Sequence, residues 1–299
     1  MPSFDENQRL SALHSYKVLD TAPEEEFDRL TELASLVCKV PITLVSLVDK
    51  ERQWFKSKIG IQASETPRNI SFCQYAILGN EIFIVEDAAN DSRFKDTPLV
   101  TGQPHIRFYA GCPLIDPNGY ALGTLCVIDS VARKLDANQL RSLSLIANEV
   151  VSQLIARKNR VSILQSDVLF QMSIDLLVIA GIDGYFKKVN PAFAKLLGWS
   201  EEVLLKNPFV EFIHPDDLKS TYDEVEKLSK GHLTINFINR YKTKSGEYKT
   251  INWTANPNIQ NGEIYGIGRD ITEKSKIEGE LIKTKELLEQ TNKVARIGT

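Results

Sequence analysis

From Asp136 onward the chain places apolar residues seven apart: Leu140, Ala147, Leu154, Val161 and Val168. Leu143, Val150 and Leu164 fill a second seam position, and Arg157 interrupts it with a charge. A repeat of about four heptads is the pattern of a coiled-coil seam rather than of one surface helix on a compact domain. It predicts a long connector over 140–170 that holds two copies of the chain side by side, with a folded unit before it and another after it. The 299 residues fit that division, because single domains usually run to roughly 100–200 residues.

Hydrophobic residues make up 42% of the chain and charged residues 25%, the balance of a globular protein rather than a disordered one. A formal net charge of −3 offers no general attraction to nucleic acid or acidic lipid, and no basic recognition helix is apparent. No apolar run approaches the roughly 18 residues that membrane insertion needs. The opening MPSFDENQRL is polar and unlike a secretory leader, so a cytoplasmic location is expected. Cys38, Cys73, Cys112 and Cys126 form no C-x-x-C pair and no Cys/His cluster, which argues for reduced core thiols and against a disulfide framework or a metal site.

The first unit opens with a helix over 1–19, carrying Leu10, Leu13 and Tyr16 at helical spacing. A second helix starts at Pro23 with Glu24, Glu25 and Glu26 at the positive end of its dipole. Its apolar stripe is Phe27, Leu30, Leu33, Ala34, Val37 and Cys38, and Pro41 ends it. The period then changes to that of strands at 42–49, 52–60, 81–88, 107–116 and 120–129. SFCQYAI at 71–77 reads as a short capped helix, and Pro117-Asn118-Gly119 as a hairpin turn. Strands bracketed by helices predict an α+β domain around an antiparallel sheet.

A second α+β unit follows. Two strands over 175–190 flank Asp183-Gly184, a strong hairpin signal. Asn190 caps a helix beginning at Pro191, and further helices are predicted over 200–205 and 216–230. Strands over 233–243, 248–259 and 263–271 close the unit through turns at Ser245-Gly246 and Asn261-Gly262. A last helix runs from Thr272 with Leu281, Leu288 and Ala295 on one seam, Ile277 beside them, and Thr284 and Thr291 as weak partners.

The first unit, over 20–155, resembles the GAF family through ITLVSLVDKERQWFKSKIG, ISFCQYAI, VEDAANDSRF, IRFYAGCPL and GYALGTLCVID, five blocks in the family's order. The second, over 165–272, resembles a PAS domain through DLLVIAGIDGYFKKVNPAFAKLLGWSEEVLLKNPFVEFIHPDD and GEIYGIGRDITEKSKIE. The fold class implied is α+β: two domains, each with a central antiparallel sheet flanked by helices, joined and followed by coiled-coil signalling helices. Asp270, Ile271 and Thr272 stand where such domains hand over to an output helix, here 273–293, and KVARIGT resembles the opening of a further PAS domain at 294–299. The arrangement resembles the sensory part of a bacterial two-component sensor histidine kinase, a cytoplasmic homodimer acting on a downstream kinase or response regulator, with a small-molecule ligand as a further partner. A stand-alone GAF–PAS adaptor and the input region of a diguanylate cyclase are the alternatives.

The chain itself carries no catalytic signature. None of its four histidines has the acidic neighbour of a phosphoacceptor, and no GxGxxG, P-loop or G-x-S-x-G motif occurs. Asp216-Asp217 after His214 reads as helix capping. Candidate ligand residues are Trp54, Phe72, Cys73, Arg107, Tyr109 and Cys112 in the first unit, and Asn190, Phe193, Trp199, Arg240 and Trp253 in the second. Core packing accounts for the same side chains. No cofactor is identifiable. Cys73 and Cys112 lack the adjacent histidine of a bilin site, and the absence of cysteine from Lys158 onward argues against flavin–cysteine photochemistry. Haem finds only His214 and His232. The mechanism expected is a shift in the helical connectors, with Arg157 loosening the seam.

Overall fold

A computed structural model describes residues 5–297, and the side chains of the last helix as far as 287. The chain divides into two compact units, Met1–Ile163 and Leu164–Thr299. The first contains α1 (Glu6–Ser15), α2 (Glu25–Cys38), β1 (Ile42–Val48), β2 (Arg52–Ile59), β3 (Glu65–Pro67), α3 (Cys73–Ala76), β4 (Phe83–Val85), α4 (Pro98–Thr101), β5 (Phe108–Ile115) and β6 (Ala121–Asp129). The long helix α5 (Ala137–Met172) begins in it. All strand pairs are antiparallel, in the order β3-β2-β1-β6-β5-β4.

The central strands β1 and β6 are buried at every position, because this sheet has a core on both faces. Val45 and Leu47 point to one side, where they meet Leu13 of α1, Phe27 of α2, and Leu143, Ala147, Val150 and Leu154 of α5. Ile42, Leu44 and Val48 point to the other, against Cys73 and Ala76 of α3 and Val100 of α4. The period-2 alternation of a strand therefore sorts one apolar run into two separate cores.

Three expectations change here. The stripe of α2 runs through Phe27, Thr31, Ala34 and Cys38, and Leu33 faces solvent at 47% exposure. That helix starts at Glu25 rather than Pro23, because Glu24 is extended and turns its carboxylate inward to Lys56 and Arg157. Most importantly, the heptad seam is two structures in sequence. Leu143, Ala147, Val150 and Leu154 complete the first unit's own core, whereas Leu164 and Val168 are exposed. Arg157 is buried, so it serves this unit and does not interrupt a seam between copies. The short β3 and α4 had no periodic signal and were not foreseen.

The second unit holds β7 (Leu176–Gly181), β8 (Phe186–Val189), α6 (Pro191–Leu197), α7 (Glu201–Lys206), α8 (Leu218–Ser229), β9 (Thr234–Lys242), β10 (Tyr248–Asn258), β11 (Glu263–Asp270) and α9 (Thr272–Ile297). Its antiparallel sheet has the order β8-β7-β11-β10-β9. Gly184 has φ 89° at the β7–β8 turn, a conformation that an L side chain resists, and the turn closes through Gly181 N–H to Tyr185 O at 2.8 Å. One face of this sheet packs on the helices: Ile251, Trp253 and Ala255 of β10 alternate inward against Phe193, Leu197 and Phe209. The other face leaves Ile235, Ile238, Tyr265 and Ile267 exposed. The seam positions Leu288, Thr291 and Ala295, and the expected start of a further domain at 294–299, involve side chains outside the described residues.

Candidate functional site

The first unit carries an open cavity of about 440 Å³ against β1, β2 and the loops at 60–66 and 103–106. Ile42, Phe55 and Ile106 give it an apolar wall, and Gln53, Thr66 and Gln103 give it amide and hydroxyl groups. Gln53 holds its place by donating from Nε2 to Thr66 Oγ1 at 2.7 Å, while its Oε1 accepts from Ser46 Oγ at 3.4 Å. Every side chain around this cavity is uncharged.

None of the six residues expected to bind ligand in this unit lines that cavity. Phe72, Cys73 and Tyr109 do meet one another on the same sheet face: Phe72 stacks on Tyr109 at 5.1 Å, and the Tyr109 hydroxyl donates to Cys73 Sγ at 3.3 Å. They form closed core instead. Trp54 and Cys112 lie in the core on the opposite face, because period-2 alternation turns them away from Phe55 and Tyr109. Arg107 clamps backbone, donating to Val100 O and Ile106 O at 3.0 Å each. Gln53 was missed although its signal was present, a polar residue on the same strand face as Phe55.

The second unit has a smaller hollow of about 80 Å³ between β9, β10 and α8, lined by Trp253, Phe237, Asn239, Thr221, Glu224 and Thr234 among others. Trp253 Nε1 donates to Asn239 Oδ1 at 3.0 Å, and Asn239 Nδ2 donates to Thr221 Oγ1 at 3.2 Å. Burial raises the Glu224 pKa, but hydrogen bonds from Lys227 and Thr234 outweigh it and hold the carboxyl below its ordinary value. The hollow is well under the roughly 300–1,000 Å³ of pockets for drug-sized ligands.

Of the five residues expected here, only Trp253 lines the hollow. Phe193 packs edge-on against Trp253 at 5.9 Å from within the core. Asn190 is a helix cap whose Oδ1 accepts from Leu177 N and Phe193 N, and whose Nδ2 donates to Ser173 O and Asp175 O. Trp199 donates to Lys242 O at 3.1 Å, and Arg240 forms a bidentate pair with Asp217 at 2.9 and 2.7 Å on the surface. At the exit, Asp270 Oδ1 accepts from Thr272 N at 2.8 Å, while Thr272 Oγ1 accepts from Thr250 N at 2.9 Å. Ile271 N donates to Thr250 O at 2.9 Å. These bonds tie the start of α9 to β10.

Residues 22–154 match the GAF domain family, and residues 186–268 match the PAS fold. The chain holds a GAF domain followed by a PAS domain. Curated relatives of the GAF–PAS chain differ in their outputs. A cyclic di-GMP phosphodiesterase of Pseudomonas aeruginosa is 45% identical over 129 residues, 43% of this chain and 22% of the relative. Sporulation kinase E of Bacillus subtilis is 32% identical over 124 residues, 40% of this chain and 16% of the relative. The probable diguanylate cyclase DgcE of Escherichia coli is 28% identical over 96 residues, 30% of this chain and 9% of the relative. The GAF–PAS chain therefore spans less than a quarter of each of these relatives. Among the described residues no helix is long and apolar enough to cross a membrane.

Proposed function

We propose that this GAF–PAS chain is the signal-sensing input region of a homodimeric two-component histidine kinase in the cytoplasm, with the cavity beside Gln53 as its ligand site. The cavity carries the reading. It is large enough for a small molecule, and its amide, hydroxyl and aliphatic lining suits a neutral, partly apolar ligand with hydrogen-bonding groups. A phosphate or carboxylate would meet no cation in that lining, so a free nucleotide is a poor fit.

The output side of the reading is supported by two helices. Beyond Arg157, α5 exposes Ile163, Leu164, Val168, Leu169 and Met172, and α9 exposes Ile277, Leu281 and Ile282. Apolar faces of this kind suit packing against the same helix of a second copy. The bonds that join Asp270 and Thr250 to Thr272, the first residue of α9, give the PAS sheet a direct hold on the helix that leaves it.

Similarity to Sporulation kinase E favours a kinase output, and the higher identity to the phosphodiesterase favours a second reading, control of cyclic di-GMP turnover. The test is to express the complete gene product and incubate it separately with labelled ATP and with cyclic di-GMP. Acid-labile, base-stable phosphate on the protein supports the kinase. Hydrolysis of cyclic di-GMP with no protein labelling replaces it with the second reading.

A further inference from the structure

Cys73 opens α3, and its sulfur is the centre of a buried polar cluster in the GAF domain. Thr124 Oγ1 donates to Cys73 Sγ at 3.1 Å, Tyr109 Oη donates to the same sulfur at 3.3 Å, and Cys126 Sγ lies 4.0 Å away. On the same sheet face, Ser46 Oγ donates to Gln53 Oε1 at 3.4 Å, and Gln53 belongs to the cavity lining. The backbone is cut to suit this arrangement. A Cβ on Gly111 would stand 2.2 Å from Tyr109 Oη, so only glycine there lets the tyrosine lie along β5 and reach the sulfur.

The other two cysteines have no comparable setting. Burial pushes the Cys38 thiol up to about 11, and burial likewise raises Cys112. For Cys73 burial acts in the same direction, but the bonds from Cys126, Thr124 and Tyr109 outweigh it and the thiol lies below its ordinary value. Cys126 goes the opposite way, well above, so the pair divides into an attacking sulfur and one that keeps its proton. Donors aimed at a sulfur are what stabilise a thiolate.

We propose that Cys73 and Cys126 form a peroxide-oxidised dithiol, a redox site within the GAF domain separate from the ligand cavity. Cys73, as thiolate, attacks one oxygen of hydrogen peroxide. The O–O bond breaks, the departing oxygen leaves as water after taking up a proton, and Cys73 becomes a sulfenic acid. The Cys126 sulfur then displaces that hydroxyl. The S–O bond breaks, the S–S bond forms, and a second water carries away the Cys126 proton. Two thiols lose two electrons, and one hydrogen peroxide is reduced to two waters. The sulfurs close from 4.0 Å to about 2.05 Å, a movement within reach of a side-chain rotation and a small shift of a four-residue helix. The bond fastens α3 to β6 on the sheet face that also carries the cavity.

The purified, fully reduced chain is treated with hydrogen peroxide, unfolded, alkylated and digested without reductant for mass spectrometry. The expected result is a Cys73–Cys126 crosslinked peptide lighter by two hydrogens, with Cys38 and Cys112 alkylated and the link reversed by dithiothreitol. Cys126→Ala stops at a dimedone-trapped sulfenic acid on Cys73, and Thr124→Val, with unchanged circular dichroism, slows crosslinking about tenfold. Four alkylated cysteines after treatment overturn the proposal. So does a Cys73–Cys126 link that appears only in denaturant, or no faster than links to Cys38 or Cys112.

Discussion

Arg157 Nε lies 2.7 Å from Glu24 Oε1, the same oxygen that accepts from Lys56 Nζ at 2.6 Å. One carboxylate thus holds two cations, one on α5 and one on β2, and the Lys56 side chain is wholly shielded from water. Arg157 also donates to Tyr16 O and Lys17 O at 3.3 and 2.9 Å, which fastens α5 to the segment after α1. Glu24→Ala should destabilise the GAF domain by about 3 kcal/mol, because it strands a buried ammonium. Arg157→Leu should cost about 2 kcal/mol, because the Tyr16 and Lys17 carbonyls lose their donor and Glu24 keeps only Lys56, where an intermolecular seam would instead have gained from leucine. Chemical denaturation of the two variants measures both values.

Acid should loosen the same domain. Burial raises the Glu6 pKa, but Arg9 and Arg68 outweigh it and hold the group at about 2. Glu24 is lowered for the same reason by Lys56 and Arg157. A carboxylate depressed by folding contributes stability that is complete above its unfolded value of 4.5 and fades as pH falls toward the folded value near 2. Glu6→Gln should therefore be less stable than the parent at neutral pH, and the two denaturation curves should converge across that acid window.

Gly111→Ala tests the packing of the buried cluster. Its methyl group falls on the Tyr109 hydroxyl, so the ring must swing away from Cys73 and from its stack on Phe72. A loss of about 2 kcal/mol is expected from the forced repacking, with a change in tyrosine near-ultraviolet circular dichroism.

In the PAS domain, Asn239→Leu removes the acceptor for Trp253 Nε1 and the donor to Thr221. The unmatched indole N–H should cost about 2 kcal/mol and alter tryptophan emission, whereas Arg240→Ala at the exposed pair with Asp217 should cost under about 1 kcal/mol. Thermal and chemical unfolding of the isolated variants separate the two.

Much of this architecture is local and therefore readable from sequence. Asn190 caps its helix because an acceptor stands before Pro191, and the Asp183-Gly184 turn needs only its glycine. What was not readable depends on distant partners. The heptad positions 143–154 have the spacing of a coiled coil, but the β1–β6 sheet of the same chain covers them, and no helical period distinguishes those two partners. Arg157 meets Glu24 across 133 positions of sequence. The cavity escaped because Gln53, Thr66 and Gln103 come from a strand, a short edge strand and a loop that only the fold brings together. Leu33 and Thr31 exchange expected places because a small rotation of α2 decides which is covered.

α5 completes the GAF core as far as Leu154 and Arg157 and leaves Leu164, Val168 and Met172 exposed, the face along which the proposed dimer would form. Sedimentation velocity of the parent and of Leu164→Glu/Val168→Glu tests it most directly, with thermal unfolding of the GAF domain as control. A dimeric parent and a monomeric variant with the same GAF unfolding temperature are predicted. A parent that stays monomeric through the submillimolar range, or a variant that remains as dimeric as the parent, would contradict it.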